Sequence, residues 1–240
     1  MNKPVSVPAC LPGEAEYRDG PAQAGQQSMG RGTRPFYTAR MAGRSSRAEL
    51  PLFPLSTVLY PGGRLELRIF EPRYLDLVRE CTRDERGFGV CLILQGRETG
   101  EPALPAAVGT LARIVDFHYD ADGLLGIVAE GGQRFRVRRT RVRADGQLRG
   151  EVEWWPEEAH APVPVELALL QTIAERLVEV MAPQWGQVPR ECYDDARWLG
   201  FRLAELLPLG GDERQRLLEL TDPLQRLAEL RDILPRFQKA

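Results

Sequence analysis

The stretch LPLFPLSTVLYPGGRLELRIFEPRY, residues 50–74, carries strand, turn and helix signals in close succession. Its first two prolines, Pro51 and Pro54, remove amide donors, which suits edge positions of a strand. The tripeptide PGG predicts a turn, and RLELRI alternates polar and apolar residues as a half-buried strand does. Pro72 fits the first turn of a helix through PRYLDLVRECTRD. The stretch therefore predicts a strand, a turn, a second strand and a helix.

The region from residue 49 to residue 155 continues as β-structure. The continuous apolar run FGVCLIL predicts a strand that is covered on both faces. Further strands are predicted at GTLARIVDFHY, LLGIVAEG, QRFRVRRT and QLRGEVEWW. The dipeptides Asp122-Gly123 and Asp145-Gly146 predict tight hairpin turns of type I′, because that geometry needs positive φ at both central residues.

Residues 163–238 change to a helical period. The segment VELALLQTIAERLVEVM places its apolar residues on one stripe. That stripe consists of Leu167, Leu170, Ile173, Ala174, Leu177, Val178 and Met181. The segment DDARWLGFRLAELL repeats the pattern, and Asp222 caps a last helix that begins at Pro223. Helices joined by short loops predict a small bundle.

These patterns divide the chain into three parts. Residues 1–48 are rich in Gly, Pro, Gln, Ser and Arg, and we expect disorder there, because such a segment buries too little apolar surface to offset its ordering entropy. Residues 49–158 form a β-rich subdomain and residues 159–240 a helical one. Met29 and Met41 offer alternative translation starts.

Composition excludes several classes of protein. The chain has 240 residues, 43% of them hydrophobic, and a formal net charge of -2, which argues against bulk attraction to nucleic acid or anionic lipid. It contains no long uncharged apolar run, so we expect no membrane segment. Nothing resembles a signal peptide or a disulfide framework, and we therefore expect a cytoplasmic protein.

The inventory of reactive residues predicts no catalytic site, metal site or cofactor. The lysines are Lys3 and Lys239, and neither lies in the glycine pattern of a phosphate-binding loop. No serine follows Ser56, so the chain offers almost no candidate for the nucleophile of a serine hydrolase. The four cysteines lack C-x-x-C spacing, and two histidines are too few for a usual zinc site. We expect the chain not to be an enzyme.

Charged residues suggest one alternative function. In QRFRVRRT, Arg134, Arg136 and Arg138 alternate with apolar residues, so one strand face is basic and suits RNA phosphates. If Asp145-Gly146 forms a two-residue turn, however, Arg138 falls opposite Glu153 and Arg136 opposite Trp155. Cross-strand pairing would then neutralise much of this face, and we favour that interpretation.

The acidic pairs Glu157-Glu158 and Asp194-Asp195 are adjacent in sequence. Neighbouring side chains do not converge on one substrate, so we predict solvated surface charge for both pairs.

The quoted opening stretch resembles the start of the Lon protease N-terminal domain, also called the Lon substrate-binding domain. The resemblance continues through VGTLARIVDF and LLGIVAEGGQRFRV and ends in RQRLLELTDPLQRLAEL, so that it spans roughly residues 49–236. It implies an α+β fold, a PUA-like β-pseudobarrel followed by a C-terminal helical bundle. It also implies a standalone form of the domain, because the chain carries neither the ATPase nor the Ser-Lys peptidase module of Lon.

The resemblance implies a non-catalytic protein that binds polypeptide or a partner protein. Glu71, Arg73 and Tyr74 match the family's Phe-Glu-Pro-Arg-Tyr motif; they either orient the first helix through an Arg–carboxylate contact, which we favour, or line a groove. An apolar groove between barrel and bundle is the expected binding place. The alternative is an RNA-binding PUA-like module that uses the basic strand Arg134 to Arg143, with Arg134 and Arg136 as contacts.

Overall fold

The computed structural model describes residues 47–182, 185 and 187–237 of the chain. The strands are β1 (Arg47–Leu55), β2 (Arg64–Ile69), β3 (Phe88–Gln95), β4 (Leu104–Tyr119), β5 (Leu125–Val142) and β6 (Leu148–Trp154). The helices are α1 (Pro72–Arg83), α2 (Ala168–Met181), α3 (Arg190–Asp194), α4 (Ala196–Leu206), α5 (Gly211–Glu219) and α6 (Pro223–Ile233). Short 3-10 turns at Val165–Leu167 and Leu234–Phe237 precede α2 and follow α6.

The six strands form one sheet in the order β2-β5-β4-β3-β1-β6, and a further β5–β6 pairing closes it. The second half of the long strand β5 pairs with β6, whereas its first half pairs with β2. The β1–β3 pair is parallel and the others are antiparallel. The predicted α+β fold, a β-pseudobarrel followed by a helical bundle, is thereby confirmed.

The barrel interior is filled around Phe135, which is fully buried. Gly109 lies against this ring: a Cβ added there would meet the Val90 carbonyl oxygen at 2.4 Å and Phe135 at 2.8 Å. Only glycine allows β3, β4 and β5 to approach so closely. The rest of this interior cluster is apolar, and consists of Leu50, Leu52, Cys91, Leu148 and Val152.

Helix α1 covers one end of the barrel with the face that its sequence pattern predicted. Tyr74, Leu77, Val78 and Cys81 are all buried. The Tyr74 ring stacks on Phe53 of β1, with 3.9 Å between ring centroids and 5° between planes. The opening stretch thus folds back on itself, because its helix packs on its own first strand.

The helical bundle shares its core with the barrel. Helix α4 is the central helix, with eight of its residues buried, and the surrounding cluster also contains Tyr60, Leu92 and Val108 from the β-rich part. The Tyr60 hydroxyl donates to the backbone oxygen of Arg214 at 2.9 Å. The predicted α2 stripe is buried at Leu167, Leu170, Ala174 and Val178, but Met181 is exposed, since it lies at the end of the helix.

Both Asp-Gly turns differ from the predicted type I′ form. Around Asp145 the backbone of Arg143 bonds that of Gln147 at 2.9 Å, so the loop has three residues. Positive φ occurs at Gly146 (80°) and at Gly123 (81°), but not at the preceding aspartates. This is the three-residue hairpin loop that ends in a left-handed glycine, which also favours Asp-Gly.

Strand β1 begins at Arg47, two residues before the boundary drawn at residue 49; the predicted disorder of residues 1–46 lies outside the described residues. Within the described ranges, no helix has the length and apolar character needed to span a bilayer.

Candidate functional site

Glu71, Arg73 and Tyr74 come together where the barrel meets α1. Glu71 is the N-cap residue of this helix, and its backbone oxygen accepts from the amides of Tyr74 and Leu75 at 3.0 Å. Its carboxylate lies 2.9 Å from Nη2 of Arg73. The Arg73 guanidinium also lies over the Tyr74 ring, 4.8 Å from its centroid. The three residues therefore contact one another.

The surroundings of Arg73 connect three separate segments. Its side chain is buried and donates to the backbone oxygens of Gly146, in the β5–β6 loop, and of Glu98, both at 3.4 Å. Burial raises the pKa of the neighbouring Tyr74 hydroxyl. An arginine that is bound on several sides by its own chain holds the helix in place. This geometry fits the structural interpretation of the motif better than a groove lining.

Arg134 lies inside the protein rather than on a basic face. Its guanidinium, 4% exposed, donates to the backbone oxygens of Leu218 and Leu220 at 2.6 Å and pairs with the carboxylate of Glu158. Burial lowers the pKa of Arg134 to about 10, although the charge of Glu158 opposes the shift. In this arrangement the guanidinium of Arg134 is not accessible to a phosphate.

Glu158 joins a second buried arginine to the first. Arg226, fully buried on α6, binds both carboxylate oxygens of Glu158 and lies 3.9 Å above the Phe201 ring. The carbonyls at the end of α5, which carry the negative pole of that helix, accept further bonds from the two guanidinium groups. We call Arg134, Glu158 and Arg226 the buried triad. It ties β5 to the helices.

The prediction of solvated acidic pairs is therefore wrong for one member of each pair. Glu158 is 4% exposed within the triad. Asp195 is buried, accepts from the amide of Arg197 at 3.0 Å and so caps α4. In each pair one carboxylate binds groups inside the protein. The adjacency of the two residues in sequence does not reveal these contacts.

The exposed remainder of the basic strand is largely paired. Arg138 and Glu153 form the expected ion pair at 2.5 Å. The predicted register is wrong, because the longer loop and a β-bulge place Arg136, not Arg138, opposite Glu153. Arg136 is exposed and lies 5.7 Å from the centroid of Trp155, its predicted neighbour. Further along the strand, Arg141 pairs with Glu49 at 2.6 Å.

A large open cleft lies between barrel and bundle, with a volume of about 590 Å³. We call it the barrel–bundle cleft. It is lined by the end of β3, the following loop and the first residues of α5: Leu92, Ile93, Leu94, Gln95, Gly96, Arg97, Glu98, Gly211 and Asp212, together with Ser56. Leu94 is 53% exposed, and Leu104, which pairs beside Gln95, is 52% exposed. Leu94 thus faces solvent in the cleft lining, and Leu104 faces solvent next to that lining, opposite Gln95.

The loop that borders this cleft is held by the Glu98 side chain and by the bond from Arg73 to the Glu98 backbone oxygen. Glu98 accepts a hydrogen bond from the backbone amide of Ser56 at 2.7 Å and another from its hydroxyl. The Ser56 hydroxyl is therefore bound to a carboxylate of a distant segment of the chain. Sequence reasoning missed Leu94 and Leu104, since apolar residues at strand ends look no different from core residues.

A smaller groove of about 270 Å³ lies between the end of α1 and β4. Its lining includes Cys81, Ile114 and Phe117 together with Arg86 and Arg113. Burial raises the pKa of the Cys81 thiol to about 12, and that of Cys91 likewise to about 12. These thiols remain protonated and are weak nucleophiles. Among the residues described, no three His, Cys, Asp or Glu side chains are grouped so as to hold a metal ion.

The fold and its surfaces define a small α+β module in which a β-pseudobarrel and a helical bundle share one core. The chain belongs to the family of the ATP-dependent protease La (Lon) substrate-binding domain, whose sequence model matches residues 49–236. The sequence resemblance to the Lon N-terminal domain is thereby confirmed.

Solved structures support the same assignment. The crystal structure of a Lon N-terminal domain protein from Xanthomonas campestris is 45% identical and has a TM-score of 0.66, covering 78% of this chain and 98% of that one. The N-terminal domain of a Mycobacterium avium complex Lon protease, 19% identical with a TM-score of 0.54, shares the fold; it covers 77% of this chain and 97% of that one.

Curated relatives are longer proteins. A Lon protease from Anaeromyxobacter dehalogenans is 28% identical over 79% of this chain. Protein cereblon from Danio rerio is 29% identical over 60% of it. The matched part spans 23% of that Lon protease and 33% of that cereblon. The similarity therefore concerns one domain of each relative.

Proposed function

We propose that this chain is a non-catalytic module that binds polypeptide at the barrel–bundle cleft. The observation that carries the proposal is the pair Leu94 and Leu104, each about half exposed beside a cleft of about 590 Å³. Burial of such side chains by a ligand removes apolar surface from water, which is the usual source of affinity. A cleft that is open to solvent accommodates an extended chain.

The family supports polypeptide as the ligand. The matching model describes the substrate-binding domain of an ATP-dependent protease, and the substrate of a protease is a polypeptide. The similarity to part of protein cereblon means that related sequences also occur outside Lon proteases. A non-catalytic role agrees with the raised pKa of the Cys81 thiol, since a protonated and buried thiol does not serve as a nucleophile.

The proposal is tested by titrating the full chain with a permanently unfolded polypeptide, such as a reduced and alkylated protein, at low and high salt. We expect weak binding that persists at high salt, because apolar burial is not screened. Leu94→Glu together with Leu104→Glu should weaken it about tenfold or more, since each charge would be buried unpaired.

The matched control is Leu169→Glu, because Leu169 is also an exposed leucine but lies on α2, which contributes nothing to the cleft lining. It should leave binding unchanged. A single-stranded RNA is titrated in parallel. Tight, salt-sensitive RNA binding without polypeptide binding would favour the RNA alternative through the exposed arginines of β5, and ATP-dependent cleavage of the polypeptide would refute a non-catalytic role.

A further inference from the structure

The end of β4 is an open strand edge. Strand β4 pairs with β5 as far as Tyr119 opposite Leu125, but with β3 only as far as Ala112 opposite Phe88. Residues 114–119, which we call the β4 edge, therefore have a strand neighbour on one side and, within the described part of the chain, no strand on the other. Unpaired backbone groups of this kind are ready to pair with a further strand.

The β4 edge is unusually apolar for an open strand. Val115 is 48%, Phe117 47% and Tyr119 78% exposed. Open edges in monomeric proteins are usually short or charged, since an apolar edge invites association. The edge also carries a carboxylate: Oδ1 of Asp116 accepts from the amide of Phe117 at 2.9 Å. The Phe117 amide is therefore hydrogen-bonded in the monomer, but it can exchange this side-chain acceptor for a backbone carbonyl of another strand.

The sequence of the edge is self-complementary in one register. Two copies related by a two-fold axis pair antiparallel, and the hydrogen-bond alternation then requires one residue to lie opposite itself. Centring the axis on Asp116 opposes two like charges, and centring it on His118 places Asp116 opposite Asp120. Centring it on Phe117 pairs Asp116 with His118 twice. Of these three registers, only the one centred on Phe117 joins unlike groups.

The same register fills the groove between α1 and β4. Phe117 then lies opposite Phe117 of the second copy, and Tyr119 of that copy lies beside Val115, the residue at the β4 register shift between Ile114 and Asp116. Because Tyr119 and Phe117 are two residues apart, they share a face of the sheet, and Phe117 lines the groove. The Tyr119 ring of the second copy therefore reaches the groove of about 270 Å³ beside Ile114 and Phe117.

We propose that the β4 edge is a homodimer surface, at which two copies pair antiparallel about Phe117 and each inserts Tyr119 into the groove of the other. On pairing, the Phe117 amide leaves Asp116 and donates to the carbonyl of Phe117 in the second copy. Asp116 then faces His118 of that copy. The inference does not depend on the proposed polypeptide binding, because it uses a different surface.

The test is sedimentation velocity of the full chain over a wide range of concentration. We expect a reversible dimer in the wild type. Asp116→Arg and His118→Glu, each alone, should weaken dimerisation about tenfold, because each change replaces two favourable cross-strand pairs. An equimolar mixture of the two variants should regain it, since the introduced arginine of one copy then faces the introduced glutamate of the other, while a native Asp116–His118 pair remains on the second side of the axis.

The control is Glu66→Arg, an exposed charge reversal on β2 at the opposite margin of the sheet, which should leave the dimer intact. Circular dichroism confirms that each variant is folded. A chain that stays monomeric at all concentrations would overturn the proposal. So would a dimer that is indifferent to the two edge variants, or an unrelated polypeptide that protects the Phe117 amide from hydrogen exchange while the chain itself remains monomeric.

Discussion

The buried triad shows what single residues contribute to this fold. Glu158 brings one negative charge to two guanidinium groups, those of Arg134 and Arg226, and all three side chains are almost fully removed from solvent. Such burial is tolerated only because the carboxylate and the backbone oxygens of α5 and of Leu220 supply acceptors. The excess positive charge lies at the end of α5, where the helix dipole favours it.

Removing the carboxylate should therefore be costly. We expect Glu158→Gln to lower the free energy of unfolding by about 3–5 kcal/mol, because two buried arginines lose the counter-charge that they share. The measurement is urea denaturation at neutral pH. Glu157→Gln is the matched control, since Glu157 is exposed, and it should change stability by less than about 0.5 kcal/mol. Equal effects of the two substitutions would mean that the triad contributes nothing to stability.

At the scale of elements, the sequence predicted most strands and helices, because periodicity reflects the local burial of each element. The prediction from sequence was wrong where closure of the barrel determines which side chains are buried. Arg134 alternates with apolar residues like a surface arginine, yet β5 carries it under the helices. The cleft leucines were missed for the same reason, since no local pattern shows which strand end remains uncovered.

The predicted type of the hairpin loops was wrong for a different reason. Asp-Gly fits two loop types, and only the pairing of β5 with β6 selects one of them.

The three-residue loop between β5 and β6 can be tested at Gly146, whose φ of 80° is left-handed. Gly146→Ala should destabilise the protein by about 1–2 kcal/mol, because a Cβ strains this conformation. An added Cβ meets only Arg73, at 3.9 Å, so crowding is not the cause. Gly146→Asn should cost distinctly less, since asparagine tolerates the left-handed region. Thermal denaturation measures both, and an equal loss for Ala and Asn would point to crowding instead of backbone strain.

At the scale of the whole molecule, barrel and bundle are joined by more than a linker. The largest apolar cluster includes Tyr60, Leu92 and Val108 of the β-rich part together with side chains from α2 to α6. The buried triad crosses the same boundary, and Arg202 of α4 donates to the backbone oxygen of Pro61 at 2.8 Å. We infer that residues 49–158 and 159–240 are subdomains of one cooperative unit, because the core of the bundle is completed by side chains of the β-rich part.

Three buried cysteines allow this cooperativity to be measured part by part. Cys91 lies in the barrel, Cys192 in the bundle and Cys81 in α1, and all three thiols are buried. Burial shields these thiols from a labelling reagent, and unfolding exposes them to it. Pulsed thiol labelling across a urea series, followed by peptide mass spectrometry, should therefore give one midpoint for all three. An earlier midpoint for Cys192 than for Cys91 would show that the bundle unfolds first, and that the shared core does not couple the two parts.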